Sequence, residues 1–227
     1  MSYTLGFLAI LMSAVVWWLV KQTINISPWA AQTSTNAVRD EGVRSPFTAA
    51  PLISVKLGLG VFLAVVTSLF ALFISAYSIR MEYSDWRPLT EPSLLWINSA
   101  VLIFSSIALQ WAYNNARRAN LTNARVGVTA AALGTLGFIF GQGIAWQQLS
   151  GAGYFIQGNP ANAFFYLLTG LHAVHLIGGL IALNRTLIKV WKGQDSVAIC
   201  TGIELCAVYW HYLLAVWLVL FGMLLMT

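Results

Sequence analysis

Of the chain's 227 residues, 59% are hydrophobic and only 8% are charged, whereas a soluble domain carries about 25% charged residues. That balance excludes a water-soluble globular domain and marks a polytopic membrane protein. The net charge of +5 is spread along the chain without a basic tract or a soluble region to carry one, which excludes nucleic acid as a partner and leaves membrane orientation as its role.

The first apolar run, residues 4–20, is about the minimum length for a helical span. A secretory signal carries its positive charge ahead of the apolar core, and here the nearest cation, Lys21, comes after it. The run is therefore expected to be a retained helix with its amino terminus outside. A polar segment follows over 21–51, with the charged patch RDEGVR, and is too short for a domain. The expected division is an N-terminal helix and cytoplasmic loop over 1–53 and a helical region over 54–227. The second run, 54–79, is entered by Lys56, and its exit holds Glu82, Asp85 and Glu91. The third, 94–113, contains Asn98, Ser99, Ser105 and Ser106, small polar residues that hydrogen-bond across helices in membranes. The fourth, 126–149, sets Gly134, Gly137 and Gly141 on one face, where a neighbouring helix can approach closely. The fifth, 163–184, and the sixth, 203–226, carry all three histidines. The expected fold is all-α, with six transmembrane helices.

Loop charges give the orientation. Numbering the loops alternately, the odd ones hold ten Lys and Arg and the even ones two. Odd loops are then cytoplasmic and both termini lie outside. The two cysteines, Cys200 and Cys206, have neither redox nor metal-ligand spacing and read as small apolar residues.

The last two runs hold the candidate chemistry: His172, His175, Glu204 and His211. Polar groups in hydrocarbon are costly and should face protein or trapped water. His172 and His175, three apart, share a helix stripe, and a short connection makes the two helices antiparallel neighbours. Glu204 would then reach the end of the previous helix or one of its histidines. Three readings follow: a structural polar clasp, a metal or haem site such as an axial pair of His172 with His211, and a proton-handling role. A di-metal carboxylate site would need several acids in the spans, and only Glu204 qualifies. The residues alone point to a helical membrane subunit without a catalytic centre.

The order of motifs resembles subunit III of the haem-copper terminal oxidases, the cytochrome c oxidase subunit 3 family. The similarity rests on the segment TGLHAVH from Thr169 to His175 followed by Gly179, on Glu204, and on YWHY from Tyr209 to Tyr212 with Trp217. Earlier helices agree: Lys56 with Gly58 before a Phe-rich run, LLWINSAVL from Leu94 to Leu102 ending at Trp111 and Ala112, and Gln142 with Ala145 and Trp146. It covers residues 54–226, five helices. The resemblance implies a subunit with no haem or copper of its own and with no catalytic, cofactor or metal residues. It would pack with oxidase subunits I and II, and other respiratory-complex subunits are further candidate partners. Haem and copper would reside in those partners, which reduce dioxygen with electrons from cytochrome c or quinol and pump protons. The family binds phospholipids, and Lys56, Lys189 and Lys192 match its basic positions near lipid phosphates. Glu204 matches its acid. The implied location is the bacterial cytoplasmic (inner) membrane.

The chain departs from the family pattern in its residues and in its number of leading helices. Val66 stands where a buried glutamate is common, so a role of that carboxylate in proton traffic does not transfer. Leu214 replaces an aspartate, and Ala145 with Trp146 replaces Glu-Tyr, as in bacterial branches. The longest members have two helices before the shared five, and residues 4–20 supply one. Competing readings are a stand-alone haem b or quinone-binding redox protein using His172, His175 and His211, and a relative that accompanies nitric oxide reductase.

Overall fold

The computed structural model describes Trp17 and residues 50–87, 93–193 and 196–226. Among these the regular structure is all helical: α1 (Ala50–Arg80), α2 (Leu94–Arg117), α3 (Leu121–Gly151), α4 (Pro160–Trp191) and α5 (Ser196–Leu225). All five are long and apolar enough to cross a membrane, where only a helix satisfies every backbone group within its own segment. The expected span at 4–20 lies outside the described residues.

Most helices overrun the apolar stretches that announced them, because their ends are set by local hydrogen bonding. Asn120 starts α3 by accepting the Asn123 N–H at 3.2 Å, and Asn159 starts α4 by accepting the Ala161 N–H at 3.2 Å, with Pro160 in the first turn. An Asn side chain at this position satisfies a backbone donor that the helix leaves unused, and proline there forfeits no helical bond. Past the end of α4, Gly193 takes φ +63°, a conformation that glycine adopts without steric cost.

By packing, the chain divides into Met1–Ser68 and Leu69–Thr227, a boundary that falls inside α1. In the first unit, the Thr67 and Ser68 hydroxyls donate to the Leu63 and Ala64 carbonyls one turn back, and Val66 is buried. In the second, α2 packs on α3 and α5, and α4 on α3 and α5, with α5 the most enclosed helix.

The α2–α3 contact is closest where the side chains are smallest. A Cβ on Gly127 would stand 2.8 Å from the Ala112 Cβ and 2.9 Å from the Ala108 carbonyl oxygen, and one on Gly134 would stand 3.2 Å from the Ser105 Cβ. One on Gly141 would overlap the Asn98 amide oxygen. Pairing 112 with 127, 105 with 134 and 98 with 141 makes the helices antiparallel. At the far end of α1, Tyr77 packs edge-on against Trp86 and Phe164 with ring centroids 4.9 and 5.6 Å apart. Asn159 ties the same region down by donating to the Arg87 carbonyl at 2.6 Å.

Candidate functional site

The tryptophans supply the bundle's cross-links. An indole N–H in hydrocarbon needs an acceptor, and each of three finds one on another helix. Trp217 donates to Ser99 Oγ at 2.9 Å, joining α5 to α2, and Trp146 donates to Thr169 Oγ1 at 3.1 Å, joining α3 to α4. Trp210 donates to Thr135 Oγ1 at 2.9 Å, which lies 2.8 Å from Ser105 Oγ, so that one chain of hydroxyls links α5, α3 and α2. The Tyr209 hydroxyl adds a bond to the His175 carbonyl at 2.9 Å. A Cβ on Gly179 would stand 2.5 Å from the Tyr209 ring, so the absence of one admits that ring against α4.

Around this frame the expected polar residues take separate places. His172 is 0% exposed, its ring among those of Trp217, Phe138 and Phe70, with centroids 5.3, 5.9 and 6.5 Å away. Neither of its ring nitrogens has a hydrogen-bond partner among the described residues. His175 shares the Phe70 contact at 5.4 Å, as the common stripe required, and its Nδ1–H donates to the Leu171 carbonyl at 2.8 Å. His211 likewise donates from Nδ1 to the Ala207 carbonyl at 2.6 Å. Both thus use carbonyls of their own helices.

Glu204 stands near the start of α5. Two residues on, Cys206 Sγ lies 3.7 Å from the Thr186 hydroxyl, and a Cβ on Gly202 would stand 3.2 Å from the same residue. Thr186 is fourteen residues beyond His172 on α4, roughly 21 Å along a helix axis. The antiparallel pairing therefore sets Glu204 at the Thr186 end of α4 and not at His172. His172 is enclosed by rings in place of an acid. Among the described residues, no three His, Cys, Asp or Glu side chains converge as metal ligands.

The basic residues gather at helix ends. Lys189 is in the last turn of α4 and Lys192 caps it, and both are exposed. Beside them Arg125 of α3 donates from Nε to the Val190 carbonyl at 3.1 Å and lies over the Trp191 ring at 5.6 Å. The last-turn carbonyls of a helix carry partial negative charge, which such cations complement. Lys56 lies near the start of α1, part-buried. At the other end of α3 and α4, a cavity of about 850 Å³ is lined by Trp146, Gln147, Ser150, Phe155 and Tyr166 among others, with no cation among the described residues that line it.

Sequence reading missed the indole donors and the Arg125 bond. The signal for the first was present in ten tryptophans, each an N–H that must be met.

Comparison with known proteins places these features. Residues 2–226 match the model of the family described as cytochrome c oxidase subunit III. The chain is 32% identical over 171 residues to a Mycobacterium leprae protein named probable cytochrome c oxidase subunit 3, an alignment covering 74% of this chain and 85% of that one. It is 27% identical over 198 residues to the cytochrome c oxidase subunit 3 of Corynebacterium diphtheriae, covering 82% and 96%. To the subunit 3 of Triticum aestivum it is 25% identical over 233 residues, covering 96% and 79%.

Proposed function

The chain belongs to the cytochrome c oxidase subunit III family, and from that premise we propose that it serves its oxidase as a non-catalytic subunit that binds phospholipid. In this reading it packs against subunit I, with subunit II in the same complex, and supports subunit I's stability and proton uptake. Haem and copper belong to those partners. The observation that carries the assignment is the family match over 2–226, joined to five membrane-crossing helices. Residues 4–20 add a sixth span, which puts both termini on the outer side of a bacterial cytoplasmic membrane. The uneven division of Lys and Arg between alternate loops supports this orientation.

Lys56, Lys189 and Lys192 hold lipid phosphate in this reading. The support is chemical: Lys189 and Lys192 are exposed cations three apart at one helix end, where an anionic headgroup is favoured at the cytoplasmic surface. Among the described residues, the cavity at the other end of α3 and α4 is lined by no cation to pair with phosphate. The test replaces all three lysines by glutamine in the assembled oxidase and reads bound phospholipid by native mass spectrometry. Charge-assisted bonds are worth about 1.5–3 kcal/mol each, so lipid should leave the variant more readily and activity should fade sooner over repeated turnover. Equal lipid retention and equal fading would reduce these lysines to signals of orientation.

A further inference from the structure

We propose that the core of the second unit holds a bound-water site enclosed by Asn98, Gln142 and His172, one residue from each of α2, α3 and α4. The three stand at one depth of the bundle. The Asn98 amide lies against the backbone of Gly141, where a Cβ would come within 3.0 Å of its Nδ2. Gln142 follows Gly141 and sits one turn beyond Phe138 on the same face of α3. The Phe138 ring in turn meets both His172, at 5.9 Å, and Trp217, at 4.9 Å, edge-on. Trp217 closes the circuit, for its indole donates to Ser99, the neighbour of Asn98.

These side chains are 3%, 1% and 0% exposed. Five of their polar atoms have no hydrogen-bond partner among the described residues: Asn98 Nδ2, both amide atoms of Gln142 and both ring nitrogens of His172. The hydroxyls of Ser99, beside Asn98, and of Thr169, one turn before His172, each already donate one bond and accept another. Ser99 donates to the Leu95 carbonyl and accepts from Trp217, while Thr169 donates to the Phe165 carbonyl and accepts from Trp146. What the five atoms offer is a mixed set. The two amide nitrogens donate, Gln142 Oε1 accepts, and a neutral imidazole does one of each. Water, with two donors and two acceptors, matches that set, and internal waters typically bind two to four such groups. Hydrocarbon lipid cannot serve them, so water taken up during folding stays as part of the packed core.

Hydroxyl-radical footprinting of the assembled oxidase tests this, because radicals form in place at internal waters and mark the side chains beside them. Phe138 and Trp217 are 0% exposed, as is Phe165, which serves as the control. The expected result is labelling of Phe138 and Trp217 several-fold faster than Phe165, with the excess lost in Gln142→Leu. Labelling of all three at one rate in the unmodified complex would overturn the proposal, whatever the variant does. It would equally be overturned by a density map of that complex, resolving ordered water, in which the Asn98 and Gln142 amides bond His172 directly with nothing between them.

Discussion

Thr135→Val probes the link among α5, α3 and α2 at one atom. Thr135 is 0% exposed, and valine nearly matches its volume, so the change opens no cavity and removes only the hydroxyl. Ser105 keeps an acceptor, the Ala131 carbonyl at 2.7 Å. The Trp210 N–H, 2.9 Å from the lost oxygen, does not. One buried donor without a partner costs about 1–3 kcal/mol in general, but within membranes measured interhelical couplings average about 0.6 and reach about 1.7 kcal/mol. The expected loss is therefore about 1 kcal/mol. Unfolding in mixed micelles titrated with dodecyl sulfate, followed by circular dichroism, measures it. A double-mutant cycle with Trp210→Phe isolates the bond from the packing lost with the indole, and should return about 0.6–1.7 kcal/mol of coupling. Thr129→Val is the control, since its hydroxyl donates to the Arg125 carbonyl of its own helix, and it should leave the transition in place. A Thr135→Val chain that unfolds with the parent, or a cycle with no coupling, would refute the assignment of this bond as an interhelical link.

Gly127→Ala should destabilise by about 1–3 kcal/mol, because its Cβ would press on the Ala108 backbone at 2.9 Å. Gly143→Ala, with nothing within 4 Å, should not, and the same titration compares them. At the α1 exit, the Arg80 guanidinium bonded to Asp85 at 2.7 Å holds that carboxyl below the usual carboxylate range. Its midpoint, read by carboxyl-carbon NMR, should fall below the ordinary value near 3.9. The pair's contribution to stability is then full above that ordinary value and is lost as pH falls through the lowered midpoint. Asp85→Asn should abolish that part of the pH dependence.

Of the fold, the sequence carried the positions of the described spans, since runs of apolar residues are imposed by the bilayer itself. Their ends were less legible. Helix α5 starts at Ser196, seven residues before the apolar run expected from Ile203, because the small and apolar residues of SVAICTG continue the helix. Close packing at Gly134 and Gly141 could be read from spacing, whereas Gly127, seven residues before Gly134 in the same run, was not singled out, although a Cβ there would meet the Ala108 carbonyl oxygen at 2.9 Å. The histidines show a different limit. Burial of polar groups demands partners, but not which ones. His175 and His211 use carbonyls four residues back, and the ring contacts of His172 depend on helix rotation, which one sequence does not carry.

The central claim is that this subunit contributes no redox centre of its own, and haem content tests it most directly. The chain is purified once alone and once through a tag on its terminus with its partners retained, and pyridine haemochrome spectra are taken of both. The account predicts haem only in the preparation that contains the larger subunits. Haem in stoichiometric amount on the isolated chain, lost on replacing His172 or His211, would contradict it.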